Sequence, residues 1–294
     1  MPLREISDAE AHFFLDNGYL IVRNVINPLE LEHLRRAMDD LTEFDSEKVR
    51  DDPDYFYGDG HLTGAKVLRR VEYVIDKRDE CKALLGHPFI LRSVEKLMGS
   101  DFIPTWDSMV LKLPGEGIEV PWHRDAGTDF VGDSPIFNVD FYLDKADEDT
   151  CVWVIPGSHR WGADRAAQEL AARKPFTTDG AVPALMNTGD VLFHNILVLH
   201  GSKANSTAKL RRVIYYEFRS AHVEWESGPH VPAYIQLKQR VLWNCIAIRK
   251  ATDYISNNEE PFTYQPPAPF ELRGAVTQAP PETFRYPHAD FWRG

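Results

Sequence analysis

A histidine and an aspartate stand two positions apart, at His123 and Asp125, and a second histidine follows far downstream at His200. Two imidazoles and one carboxylate form the facial set that holds non-haem Fe(II) while leaving coordination positions open. Because 75 residues separate Asp125 from His200, no single helix can carry all three groups. The chain must therefore adopt a fold that brings two distant strands together. Arg211, 11 residues after His200, has room to return on a neighbouring strand and offer its guanidinium group to a carboxylate.

Five short motifs surround these residues in a fixed order. They span residues 138–144, 154–159, 189–193, 200–205 and 211–212. Together they resemble the phytanoyl-CoA dioxygenase family of iron(II)/2-oxoglutarate-dependent oxygenases, and the resemblance covers roughly residues 7 to 220. It implies a double-stranded β-helix, or jelly roll, with Fe(II) as cofactor and with 2-oxoglutarate and O2 as co-substrates.

The resemblance also implies roles for individual residues. The catalytic metal ligands would be His123, Asp125 and His200. Contacts to 2-oxoglutarate would come from Arg211 and Ser202, with Met109 and Lys112 on the preceding strand as further candidates. The carboxylate of Asp125 argues against halogenation, because related halogenases carry a small residue there and give the freed iron position to chloride.

Alternation of side chains over residues 136–143 indicates which of them face the substrate. Phe137, Val139, Phe141 and Leu143 share an apolar face, whereas Asn138, Asp140 and Tyr142 share the other. A buried carboxylate needs a cation or a donor to offset its desolvation. We therefore expect Asp140 to pair either with an amine, hydroxyl or guanidinium of the substrate or with a side chain of the protein. Aromatic pocket walls are expected from Trp106, Trp122 and Tyr73.

Three neighbouring residues have competing interpretations. His194 has the same strand parity as His200 and could replace it as a ligand, but His200 carries the Gly-Ser continuation and is preferred. His159 closes a Pro-Gly-Ser-His turn and is expected to make a structural hydrogen bond. Arg212 points away from Arg211 across the strand, so an ion pair at the surface or at an interface is expected for it.

Composition limits the partners and the compartment. The net charge of −12 argues against a nucleic-acid partner and against adsorption to anionic membranes. The three cysteines imply no disulfide framework. The N-terminal residues carry no secretory signal pattern, and no apolar run is long enough to span a membrane. We expect a cytoplasmic protein that acts on a small molecule, and homo-oligomerisation stays open.

The order of local signals predicts an α+β chain with a mostly β core. Ser7 and Glu10 form a capping box for a first helix, Asn27-Pro28 begins a second, and residues 88–98 make a third that ends at Gly99. Residues 44–66 are expected to be a loop. We predict one domain over residues 1–294, with a helical layer at 7–100, a cupin-like jelly-roll core at 102–220 and a wrapping segment at 221–294.

These observations predict an Fe(II)/2-oxoglutarate-dependent dioxygenase that oxidises a small molecule and releases succinate and CO2. Hydroxylation in natural-product or amino-acid-type metabolism is the favoured outcome, because an acidic chain without a basic cluster is a poor host for a CoA phosphate. Desaturation, epimerisation and cyclisation use the same oxidative chemistry and stay open. The rivals are a metal-dependent cupin-like hydrolase or isomerase, and a jelly-roll binding module without metal.

Overall fold

The computed structural model describes residues 5–42, 52–125, 134–255 and 259–268, together with residues 281 and 284. Its helices are α1 (Asp8–Asn17), α2 (Pro28–Thr42), α3 (Val74–Lys77), α4 (Asp79–Leu85), α5 (Pro88–Met98), α6 (Ala163–Ala172), α7 (Ala221–Ser227) and α8 (Pro232–Ala251). Its strands are β1 (Tyr19–Val22), β2 (Tyr55–Asp59), β3 (Lys66–Glu72), β4 (Phe102–Lys112), β5 (Val120–His123), β6 (Phe137–Tyr142), β7 (Val152–Val154), β8 (Val182–Ala184), β9 (Val191–Asn195), β10 (His200–Ser202) and β11 (Arg211–Ser220).

These strands form a large and a small antiparallel sheet. The large sheet has the order β1-β9-β6-β11-β4-β3-β2, and the small one has the order β5-β10-β7-β8. Several neighbours are far apart in sequence, such as β1 with β9, β6 with β11 and β5 with β10, and such long-range antiparallel pairing is typical of a jelly roll. The predicted fold class, a mostly β core with N-terminal helices, is therefore confirmed.

Local sequence signals explain where the first helices begin and end. The hydroxyl of Ser7 accepts from the amide of Glu10, whose carboxylate accepts in return from the amide of Ser7, so the capping box predicted for α1 is present. The amide of Glu30 donates to the side chain of Asn27 at the start of α2. Helix α5 begins at Pro88 and is followed by Gly99, as predicted.

The N-terminal third of the chain contains more β-structure than the sequence predicted. Residues 7–100 form less of a helical layer than expected: a strand was predicted at residues 19–22, where β1 lies, but β2 and β3 also join the large sheet. The loop expected at residues 44–66 contains β2, while residues 44–51 lie outside the described part of the chain. Gly58 sits inside β2, and a Cβ on it would lie 2.5 Å from Cδ1 of Ile118, so a larger residue there would require that side chain to move.

The segment after residue 220 also contains regular structure that was not predicted, namely α7 and α8. Beyond α8, Phe262 and Tyr264 are buried against Phe102, and the hydroxyl of Tyr264 donates to the Phe102 carbonyl at 2.6 Å. The aromatic residues at 270, 286, 291 and 292 lie outside the described residues. Among the described helices, none is long and apolar enough to cross a bilayer.

Strand β6 separates the hydrophobic core from the site. Phe137, Val139 and Phe141 belong to the main core between the large sheet and the helices. Asn138, Asp140 and Tyr142 line a cavity on the opposite face. The alternation read from the sequence therefore describes both faces of this strand correctly.

Candidate metal and co-substrate site

The small sheet brings the two distant histidines together. His123 ends β5, His200 begins β10, and the two residues are direct cross-strand partners. Asp125 follows just after β5, where its amide donates to the carbonyl of Ile196 at 2.9 Å. One ligand atom from each of His123, Asp125 and His200 lies within 4.8 Å of the others. The structure thus gathers the three groups that the sequence singled out.

Backbone hydrogen bonds set the orientation of both imidazoles. Nδ1 of His123 lies 2.8 Å from the Pro121 carbonyl, and Nδ1 of His200 lies 3.0 Å from the Val198 carbonyl. Because a carbonyl can only accept, each Nδ1 carries a hydrogen and leaves the Nε2 lone pair for a metal. The two Nε2 atoms lie 3.5 and 3.7 Å from Oδ1 of Asp125. Both rings are therefore fixed in the tautomer that a metal site needs.

The electrostatics of this cluster favour a neutral His200 and an ionised Asp125. Burial and the neighbouring His123 lower the pKa of His200 to about 3, so its Nε2 is unprotonated at neutral pH. Burial would raise the pKa of Asp125, but the surrounding histidines His200, His123 and His194 hold it well below its ordinary value. Burial would lower the pKa of His123, but Asp125 outweighs it and raises that pKa. A neutral imidazole and an ionised carboxylate are good ligands for a divalent metal.

Arg211 lies in the same cavity and is almost without partners. It is 2 % exposed, and its one hydrogen bond within the described residues runs from Nη1 to the Thr150 carbonyl at 2.9 Å. Its buried Nε has no partner there, and neither has the buried hydroxyl of Tyr142, which lines the same cavity. Burial lowers the pKa of Arg211. A buried cation beside a free hydroxyl is a ready site for a carboxylate.

The other residues predicted to contact the co-substrate occupy different places. Ser202 lines the cavity and is buried. Met109 is wholly buried in the main core. Lys112 directs its Nζ to the carbonyls of Ile118 and Lys203, at 2.6 and 2.5 Å, and burial lowers its pKa to about 6. The structure therefore brings Ser202 to the cavity and gives Met109 and Lys112 packing and backbone contacts instead.

The predicted substrate residues also divide into two groups. Asn138, Asp140 and Tyr142 line the cavity. Tyr73 and Trp106 pack against each other, with ring centroids 5.4 Å apart, and are absent from the described cavity lining. Trp122 stacks on Phe176 and donates to the Thr177 carbonyl at 2.9 Å, so it too lies outside this lining.

Asp140 was expected to pair either with the substrate or with a side chain of the protein, and the structure shows a side chain, His194, beside it. Its Oδ2 lies 2.9 Å from Nδ1 of His194, while Nε2 of His194 lies 3.3 Å from Oδ2 of Asp125. Burial would lower the pKa of His194, but the carboxylates of Asp140 and Asp125 raise it to about 10. His194 is not part of the set of converging ligand atoms in the described residues. It lies behind the carboxylate ligand.

Two other sequence-based interpretations match the structure. His159 donates from Nε2 to the carbonyl of Leu15 at 3.0 Å. Arg212 pairs with Asp144 at 2.9 Å and also with Asp39. Both are structural contacts outside the cluster of His123, Asp125 and His200.

Several residues of the cavity were missed from the sequence. The cavity encloses about 240 Å³, and its lining includes Arg69, Arg70, Ile118, Val120, Val152 and Tyr215. Arg69 and Arg70 stand on β3, in a hairpin whose first part was expected to be a loop. Tyr215 is a cross-strand partner of Asp140, so correct pairing of β11 with β6 would have placed it beside the site.

Comparison with known proteins agrees with this geometry. The model of the Phytanoyl-CoA dioxygenase (PhyH) family matches residues 14–213. Dioxygenase cdmD of Talaromyces verruculosus is 26% identical over 251 residues, which cover 77% of this chain and 78% of that protein.

Solved structures show the same fold. EvdMO1 superposes with a TM-score of 0.61 at 30% identity and covers 71% of this chain, which in turn spans about half (49%) of the EvdMO1 chain. EctD from S. alaskensis, solved with 2-oxoglutarate and 5-hydroxyectoine, superposes with a TM-score of 0.60 at 20% identity and covers 74% of this chain and 77% of its own.

The family match covers most of the chain and includes His123, Asp125, His200 and Arg211. It agrees with a jelly roll whose cavity combines a two-histidine, one-carboxylate cluster with a buried arginine. The chain belongs to the phytanoyl-CoA dioxygenase family and is an enzyme of the iron(II)- and 2-oxoglutarate-dependent oxygenase class.

Proposed function

We propose that this dioxygenase hydroxylates a small molecule, with His123, Asp125 and His200 as iron ligands and Arg211 as the anchor of 2-oxoglutarate. The observation that carries the proposal is the pairing of the ligand cluster with Arg211 in one cavity. Among the possible oxidative outcomes we favour hydroxylation, which one structural relative supports. EctD, with the same fold, was solved with a hydroxylated small molecule.

The residues present fit ferrous iron. The Nε2 atoms of His123 and His200 and the Oδ1 atom of Asp125 converge from one side of the cavity. This donor set is the one that non-haem Fe(II) oxygenases use, and it leaves the other side of the metal open. A structural zinc site would instead be closed by a fourth protein ligand.

The residues present also fit a dicarboxylic keto acid. Arg211 has no carboxylate partner among the described residues, although it is buried. The hydroxyls of Tyr142 and Ser202 line the same cavity, and that of Tyr142 has no described partner. We assign the far carboxylate of 2-oxoglutarate to Arg211 and Tyr142, with Ser202 beside them. Tyr142, first expected to meet the substrate, thus serves the co-substrate in this proposal.

Bound together, iron, 2-oxoglutarate and O2 supply an oxidising equivalent for a C–H bond, with release of succinate and CO2. The protein positions these components. Ile118, Val120, Val152 and Val213 provide apolar walls around the ligand cluster. Arg211 fixes the far end of the co-substrate, which orients its keto-acid end toward the metal ligands.

The test is anaerobic addition of 2-oxoglutarate to the Fe(II)-loaded protein while the weak visible charge-transfer band of the chelate is recorded. We expect a band in the wild type, no band in His200→Ala, and a band in Arg211→Ala only at far higher 2-oxoglutarate. A protein that holds iron without giving the band would favour the metal-dependent hydrolase or isomerase. A protein that holds no iron would favour the binding module. Succinate release and substrate screening would then distinguish hydroxylation from desaturation, epimerisation or cyclisation.

A further inference from the structure

We propose that Asn138 and His194 clamp the outer oxygen of Asp125, so that Asp125 binds iron through Oδ1 alone, and that Asp140 positions His194 for this task. The inference rests on the iron site of the proposed function. It assigns Asn138 and Asp140, on the polar face of β6, to the support of a metal ligand, whereas the sequence left Asp140 open between a substrate contact and an internal partner.

The two oxygens of Asp125 have different surroundings. Oδ1 faces the ligand nitrogens of His123 and His200, at 3.5 and 3.7 Å. Oδ2 accepts a hydrogen bond from Nδ2 of Asn138 at 2.9 Å and lies 3.3 Å from Nε2 of His194. One oxygen therefore points to the metal position, and the other is held by two protein groups.

Asn138 and His194 also lie side by side. They are cross-strand partners on β6 and β9, and Nδ2 of Asn138 lies 3.1 Å from Nε2 of His194. Both side chains are buried, with residue exposures of 4% and 6%. Packing in the large sheet thus fixes the two groups that hold Oδ2, and the carboxylate has little freedom to rotate.

Asp140 completes the arrangement from the far side of the imidazole. Its Oδ2 lies 2.9 Å from Nδ1 of His194, and it is 5% exposed. The carboxylate of Asp140 already has a partner, so it is a weak candidate for binding a cationic group of the substrate. Its role is to hold the ring of His194 at the angle that presents Nε2 to Asp125.

The clamp matters because the number of open metal positions decides the chemistry. A two-histidine, one-carboxylate set leaves three positions, which are enough for a bidentate keto acid and for O2. A carboxylate that bound through both oxygens would occupy one of these positions. By holding Oδ2 away from the metal, Asn138 and His194 keep that position free.

The first experiment measures Fe(II) binding without co-substrate, by anaerobic competition with a chromophoric chelator. Loss of an outer partner of a metal ligand typically weakens metal affinity about 10–100-fold, and we expect this for Asn138→Ala and His194→Ala. The conservative variant His194→Gln, whose amide can still donate to Asp125, should recover part of the affinity. The charge-transfer band of the 2-oxoglutarate complex should shift in the Ala variants because the ligand field of Asp125 changes.

A double-variant comparison tests the place of Asp140. Asp140→Ala should weaken Fe(II) binding about threefold or more in the wild-type background and have little further effect in His194→Ala, since Asp140 acts through His194. An effect of equal size in both backgrounds would overturn the role given to Asp140.

Val139→Ala is the matched control. Val139 lies between Asn138 and Asp140 on β6 but is buried in the main core. Its loss should lower thermal stability and leave Fe(II) affinity within about twofold of the wild type, which separates a positioning role from general destabilisation. Wild-type Fe(II) affinity in Asn138→Ala and His194→Ala would overturn the clamp while leaving the proposed function intact. Failure of the wild type to bind Fe(II) would overturn both.

Discussion

Two buried arginines, Arg249 and Arg211, line different pockets of the molecule and differ in how many hydrogen bonds they make. Arg249, at the end of α8, makes five hydrogen bonds, two to Glu30, two to Glu259 and one to the Ala83 carbonyl. Arg211 makes one in the described structure, to the Thr150 carbonyl. Charge pairing raises the pKa of Arg249 against the effect of burial, whereas burial lowers that of Arg211.

The difference separates an arginine whose donors are all used within the protein from one whose donors are mostly unused among the described residues. Five donors matched by five acceptors leave Arg249 nothing to offer a small molecule. Arg211 keeps most of its donors unused at the cavity within the described residues, and burial of its charge carries a desolvation cost, which is why we propose it as the anchor of an anion. Exposure does not distinguish the two residues, which are 3% and 2% exposed. Their partners do.

Replacement of Arg249 should give the largest change in stability. Arg249→Met leaves the carboxylates of Glu30 and Glu259 without their cation, and breaking a buried pair in this way costs about 3–5 kcal/mol. Denaturant unfolding of the metal-free protein would measure the loss of free energy of unfolding. A change below about 1 kcal/mol would contradict the structural role given to Arg249.

Replacement of Arg211 should show the reverse pattern. Loss of a charged partner in a buried contact costs about 2–5 kcal/mol, so Arg211→Met should need roughly 100-fold more 2-oxoglutarate for half-saturation of the charge-transfer band. The free energy of unfolding should stay the same or rise, since an uncompensated buried charge is removed. Arg212→Met is the matched control on the same strand, because its pairing with Asp144 and Asp39 predicts lost stability with unchanged co-substrate binding. Equal behaviour of the two variants would remove the distinction.

The smallest of these effects is expected at Tyr142. A hydrogen bond to a charged group contributes about 1.5–3 kcal/mol, so Tyr142→Phe should weaken 2-oxoglutarate binding about 10-fold or more. The free energy of unfolding should not fall, because the buried hydroxyl has no partner in the described structure. A loss of stability with normal 2-oxoglutarate binding would show that the hydroxyl serves the fold.

The candidate metal site was predictable because iron coordination requires particular residue types. His123, Asp125 and His200 were identified from the sequence. Their separation required two distant strands to lie side by side, and the two histidines are indeed cross-strand partners. Strand alternation likewise assigned the two faces of β6. Strand alternation is a local pattern, so tertiary contacts do not alter it.

Tertiary contacts decided what the sequence could not predict. Trp106, Trp122 and Tyr73 have the character of pocket walls, but packing with one another or with Phe176 removes them from the cavity lining. Helix α8 was missed because it buries Lys238, Gln239 and Arg249 along with its apolar side chains, which obscures helical periodicity. The partner of Asp140 required knowledge that β6 and β9 are neighbours.

Because His123 and His200 are cross-strand partners, a metal bound to both would also stabilise the fold. An ion bound to both would link strands 77 residues apart in sequence and close a long loop by a reversible cross-link. The strands concerned are short, with four residues in β5 and three in β10, and their own ladder offers few hydrogen bonds. Bound iron would then stabilise the small sheet that carries His123 and His200. The order of β5 and β10 would therefore depend on metal binding.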